Sequence, residues 1–231
     1  MFRIFRIVLA VLSGLMLTAA DQDWKGKPPA DWTEAEAKQI LSDSPWTKVI
    51  APAVLKSIYP EKDQAHGWRS KIGLGGPAHQ SADTTGNSGS KSEPPKPPPA
   101  PALKLRWESA LPVRLAERKV PDPAAPTVDD DYYVMAVYGI PRTMVSGDLK
   151  EVTAILKKNA MLKRYAKRDM IPASVEILMR DDGPVIVYRF LKSGDINWRD
   201  QKLIFDAQVD TLKFTQTFDM DPMRFEGDLQ L

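Results

Sequence analysis

Between Lys157 and Arg168 the chain carries Lys157, Lys158, Lys163, Arg164, Lys167 and Arg168 with no acidic residue among them. Cations at this density can grip phosphate, lipopolysaccharide or another anionic polymer, and these six residues form a possible anion-binding surface. The plainer account is a solvated helix end followed by a strand edge. Cations there complement the helix C-terminus and discourage strand addition. Tyr165 is the one aromatic residue in the run, so base stacking gains little support.

Two acidic groups point to different chemistry. Asp129-Asp130-Asp131 and Asp219-Met220-Asp221 offer paired carboxylates, which can bind calcium or, with a divalent metal, work as acid and base in hydrolysis. Neither run has the regular oxygen spacing and internal glycine of a calcium loop, and Asp is a frequent turn former. The two histidines, His66 and His79, lie in or beside a Gly/Ser-rich stretch. A catalytic base must be held within hydrogen-bond reach of its target, so a Ser-His-Asp arrangement or a multi-histidine metal site is not expected. The chain has no cysteine, which excludes disulfides, thiolate zinc sites, covalent haem attachment and cysteine nucleophiles. Gly73-Leu74-Gly75-Gly76 lacks the strand and helix that a phosphate cradle needs, and Pro77 follows it. Trp107 suits a core position better than a ligand-stacking platform, since it alternates with Leu103 and Leu105. These residues assign no catalytic residue, no metal ligand and no cofactor.

The elements that must position this chemistry begin with an address. Arg3 and Arg6 precede an apolar run from Ile7 to Leu17, and Thr18-Ala19-Ala20 follows. That is the layout of a signal peptide spanning residues 1–20, and the run is shorter than the ~20 residues of a membrane span. The expected product is periplasmic or extracellular, with no transmembrane span after cleavage; a retained anchor is the alternative. Lys plus Arg number 32 and Asp plus Glu 30, and without Arg3 and Arg6 the remainder carries 30 of each sign. A neutral chain has no global field for a polyanion, so nucleic acid is not an expected partner.

Residues 21–72 hold Trp24, Trp32, Trp46 and Trp68. Thr33 and Glu36 have capping-box spacing behind Trp32, and they predict a helix through Ala37, Ile40 and Leu41. The run Trp46–Ile50 reads as a strand. About fifty residues without disulfides make a marginal core, so this segment is expected to dock on the sheet; an independent mini-domain is the alternative. Residues 73–101 turn to Gly, Ser and Pro, with six prolines between 94 and 101. They are expected to be disordered coil and extended polyproline, since they cannot bury enough apolar surface to offset ordering.

Residues 102–231 form the main folded region. Leu103–Trp107 alternates as a strand. Ser109–Lys119 fits a helix opening at Ser109, and Tyr132–Tyr138 is apolar on both faces, as a central strand should be. After Asp148 a helix stripe of Leu149, Val152 and Leu156 ends near Asn159. Val175–Arg180 and Val185–Phe190 flank the turn Asp181–Pro184. Leu203–Val209, Leu212–Phe218 and Arg224–Leu231 alternate in turn. The pattern predicts an α+β fold: mainly antiparallel β-sheet, two or three short helices and a long disordered Gly/Ser/Pro-rich loop.

The segments Trp32-Thr33-Glu34-Ala35-Glu36, Ser44-Pro45-Trp46, Arg106–Arg114 and Met223–Leu231, in that order around a low-complexity insertion, resemble a family of uncharacterised exported proteins of acidobacteria. The resemblance implies an envelope or extracellular location and brings no activity, cofactor or catalytic residue. The expected role is an envelope-associated or secreted binding or structural module without enzymatic activity. Its partner would be an anionic envelope polymer or another protein; a metal-assisted hydrolase using Asp129, Asp131, Asp219 and Asp221 is the alternative.

Overall fold

The capping box forms as its spacing requires. In a computed structural model, which describes residues 23–59, 101–123, 125–165, 167–192 and 196–231, the Thr33 hydroxyl accepts from the Glu36 amide at 3.2 Å. The Glu36 carboxylate accepts from the Thr33 amide at 2.7 Å. Helix α1 (Glu34–Ser42) starts there and buries Ala37 and Ile40. The leader 1–20, His66, Trp68, His79 and the low-complexity stretch up to residue 100 lie outside the described residues.

Beyond α1 the chain forms β1 (Thr47–Ile50), β2 (Ala53–Val54), β3 (Leu103–Trp107), α2 (Leu111–Lys119), β4 (Tyr132–Tyr138) and α3 (Leu149–Lys158). The rest is β5 (Ala160–Arg164), β6 (Ser174–Arg180), β7 (Gly183–Leu191), β8 (Lys202–Val209), β9 (Leu212–Asp219), β10 (Arg224–Phe225) and β11 (Asp228–Leu229). One antiparallel sheet runs β1-β3-β4-β7-β6 and a second runs β2-β9-β8-β5. The fold is α+β and mainly antiparallel, as the alternating apolar pattern predicts. The sheets meet through aromatic rings: Tyr188 lies 5.2 Å from Phe205 and Trp107 lies 5.7 Å from Phe218, both nearly edge-on.

Strand β4 is central in the larger sheet, which explains why it is apolar throughout. Met135 and Val137 enter the main core, while Val134, Ala136 and Tyr138 enter a smaller cluster on the opposite face. Strand β1 pairs with β3, Thr47 opposite Arg106. Trp46 is fully buried, its ring 5.8 Å from Trp24, and its indole Nε1 donates to the Gln230 carbonyl at 2.7 Å. Trp32 packs edge-on to Phe225 at 5.7 Å. Trp107 is also fully buried, which rules it out as a stacking platform.

Three local expectations change. Helix α2 opens at Leu111 rather than Ser109, because the Ser109 hydroxyl accepts from the Val134 amide at 3.0 Å and so serves the sheet. Leu149 is 47% exposed, leaving Val152 and Leu156 to carry the apolar face of α3. The closing segment is not one strand but a tight hairpin, β10 with β11. Glu226 and Gly227 turn it with φ of 53° and 90°, the paired positive values of a two-residue hairpin turn. Among the described residues no helix is long and apolar enough to cross a membrane.

Candidate functional site

Two places gather chemistry. The first is buried beneath α2. Lys104 and Arg106 share one face of β3, and the β3–β4 register sets Lys104 opposite Tyr138 and Arg106 opposite Ala136. Arg106 Nε donates to Glu108 Oε1 at 2.8 Å, and its Nη2 donates to Glu117 Oε1 at 2.6 Å and to the Tyr138 hydroxyl at 2.7 Å. The Tyr138 hydroxyl closes the ring by donating to Glu108 Oε1 at 2.6 Å. Arg106 is 4% exposed and Glu108 not at all. Burial, then the neighbouring Glu108 carboxylate, push the Glu117 carboxyl up to about 8 against the pull of Arg106, and Glu117 is hydrogen-bonded to Glu108. A proton retained on Glu117 supplies a donor where Glu108 Oε2 otherwise has none. The network gathers one guanidinium, two carboxyl groups and one phenol in a buried site.

This arrangement carries a pH signature. Unfolded, Glu117 releases its proton near its ordinary 4.5; folded, it holds the proton to about 8. Between those values the native state binds more protons than the unfolded state, so stability falls as pH rises across that window and levels off above it. Each unit of separation corresponds to about 1.4 kcal/mol. Glu117→Gln, neutral at every pH and still able to accept from Arg106 and donate to Glu108, should flatten the slope. Urea midpoints from pH 5 to pH 8 check this; an unchanged slope in the variant would assign it elsewhere.

The six cations singled out in the sequence have different partners. Lys157, at the end of α3, lines a groove of about 520 Å³ between α3 and β6 and donates to the Ala173 carbonyl at 2.7 Å. Lys158 and Arg168 are exposed. Lys163 and Arg164 are successive residues of β5 and so point to opposite faces. Lys163 pairs with Asp206 at 2.7 Å, while Arg164 donates to the Arg168 carbonyl at 2.9 and 3.1 Å. Lys167 pairs with both oxygens of Asp200 at 2.9 and 3.0 Å.

The acidic groups differ from one another. Asp129 shapes its own turn, its carboxylate accepting from the Asp131 amide at 2.9 Å. The Asp131 carbonyl accepts from the Lys192 amide at 2.9 Å. Asp219 and Asp221 share a cleft instead, with Lys202 3.5 Å from Asp219 and Arg224 3.9 Å from Asp221. Among the described residues no group of three or more His, Asp or Glu side chains is placed to hold a metal ion.

That cleft, about 500 Å³, leads to the second place. It is lined in part by Trp198, and a further cleft of about 360 Å³, lined by Tyr133, Lys192, Ile196 and Asn197 among others, includes the same indole in its wall. Trp198 is 58% exposed, whereas Trp24, Trp32, Trp46 and Trp107 are buried. A single helical turn (Trp198–Asp200) presents it, held by a capping box in which Asn197 Oδ1 accepts from the Arg199 amide at 3.0 Å and Asp200 accepts from the Asn197 amide at 2.8 Å. Asp200 is 1% exposed and anchored by Lys167. Gln201 leaves the turn at φ 56°, a left-handed conformation that costs a non-glycine residue ~1 kcal/mol or more. Its carbonyl accepts from the Met220 amide at 2.8 Å, which fixes the turn to the end of β9. Arg199 stacks on the indole, its Cζ 5.3 Å from the ring centre.

Neither place stands out in the sequence. Glu108 and Glu117 are nine residues apart, and only the β3–β4 register and the seat of α2 bring them together. Trp198 did carry a local signal, the Asn197-x-x-Asp200 capping spacing, which marks a built turn. Comparison with protein families, with curated proteins and with solved structures finds no match, so the geometry of these two places carries the functional reading.

Proposed function

We propose that this chain is an exported, non-enzymatic binding module of the cell envelope whose contact surface is the Trp198 ridge and whose ligand is a saccharide. The observation that carries the reading is the exposed indole, presented on a turn held by buried Asp200 and lining two clefts of mixed polar and apolar surface. Leaving an indole in water forgoes the ~1.5–3 kcal/mol that burial of a large apolar side chain contributes. Fixing its turn with a strained Gln201 adds to that cost. A sugar ring matches what results. Its C–H face meets the electron-rich indole face, and its hydroxyls reach the carboxylates, amides and guanidinium along the clefts.

Export is supported by the leader layout of residues 1–20 and the resemblance to exported acidobacterial proteins. The hydrolase reading needs Asp129 and Asp131 to work with Asp219 and Asp221. Only the latter pair lines the Trp198 cleft.

Affinity electrophoresis through gels containing soluble polysaccharides tests the binding reading. At least one polysaccharide should retard the protein, and Trp198→Ala should weaken that retention at least ~10-fold, as loss of a central aromatic contact does. Retention that survives the substitution would remove Trp198 from the site.

A further inference from the structure

We infer that the saccharide held at the Trp198 ridge bears carboxylate groups, as a uronic-acid polymer does; this rests on the ridge being a saccharide site at all. Both clefts that share the indole carry cations. Arg199 lies over the Trp198 ring itself, and Lys192 lies over the Tyr133 ring in the neighbouring cleft, 5.4 Å from its centre. Among the described residues neither cation is paired with a carboxylate, so each of the two clefts that share Trp198 offers a positive charge to a ligand.

The two remaining cations of the larger cleft, Lys202 and Arg224, stand opposite Asp219 and Asp221 at 3.5 and 3.9 Å with most of these side chains exposed. Solvated pairs at such distances are weak and open to exchange with a ligand. Arg199 also fits a carboxylate geometrically, since a guanidinium fork meets the two planar oxygens in parallel.

The same carboxylates decide against a polyphosphate backbone. Asp219 and Asp221 stand inside the cleft, where a chain with a charge on every repeat and no hydroxyls would meet repulsion and leave their acceptor oxygens unanswered. A carboxylated sugar brings both kinds of group. Its hydroxyls donate to Asp219 and Asp221, its ring stacks on Trp198, and its carboxylate turns to Arg199 or Lys192.

The test uses the full chain in affinity gels containing polygalacturonate, the neutral polymer dextran, or polyphosphate. Polygalacturonate should retard the protein most, and added salt should weaken that retention. The double variant Arg199→Gln with Lys192→Gln, both at exposed positions, should weaken polygalacturonate retention at least ~10-fold and any dextran retention by a much smaller factor. If no polysaccharide retards the protein, the saccharide reading itself falls. Dextran retention equal to that of polygalacturonate, with no effect of the double variant, overturns the carboxylate inference alone. Polyphosphate retention matching that of polygalacturonate overturns it as well, by showing a general anion site.

Discussion

Arg106→Met should lower the unfolding free energy by about 3–5 kcal/mol, the range for removing one partner of a buried ion pair. The reason is what stays behind. Glu108 is wholly enclosed and receives hydrogen bonds from Arg106 Nε and the Tyr138 hydroxyl, so without the guanidinium it keeps only neutral donors and no compensating charge. Methionine fills much of the same volume, which separates the electrostatic loss from a cavity. A second variant completes the test. Replacing Arg106, Glu108 and Glu117 together by Met, Leu and Leu removes every charge at once, and such exchanges of a whole buried network are often neutral or stabilising. Urea midpoints at constant m-value read both. A single variant within ~1 kcal/mol of the parent would show that the network is already wet.

Trp46→Ala should cost about 3–5 kcal/mol, as large-to-small changes of buried aromatics do. Trp46 sits where three parts of the chain meet: Trp24 before α1, β3 of the larger sheet and the carboxyl-terminal residues. Truncation opens a void between them and leaves the Gln230 carbonyl without its donor. Trp198→Ala makes the internal comparison. The same chemical change on the exposed ridge should alter stability by no more than ~0.5 kcal/mol while removing saccharide retention. Equal losses of stability at both positions would mean that Trp198 is structural and the ridge no binding surface.

Where pattern and local geometry coincide, the sequence could be read directly. The Thr33/Glu36 box, the doubly apolar β4 and the turn between β6 and β7, which the structure narrows to Asp181–Asp182, depend on residues a few positions apart. Structure and pattern diverge where a side chain answers to distant partners. Ser109 looks like a helix cap but serves the Val134 amide, and Lys167 looks like part of a cationic surface but anchors Asp200, 33 residues away. Strand alternation turns Lys163 and Arg164 to opposite faces, which no count of charges reveals. The buried network was hidden for the same reason, since its members come from β3, α2 and β4. Burial separates Trp198 from the other described tryptophans, and burial is a property of the assembled molecule.

The hydrogen bond from Trp46 to Gln230 spans 184 residues of chain. It sets a timetable as much as a contact. A polypeptide emerging amino end first lacks this partner of its opening tryptophan layer until Gln230 arrives, and the long-range β2–β9 pairing likewise slows spontaneous folding. During that interval the nascent chain stays threadable, which is the condition a translocation channel requires of the passenger proposed here.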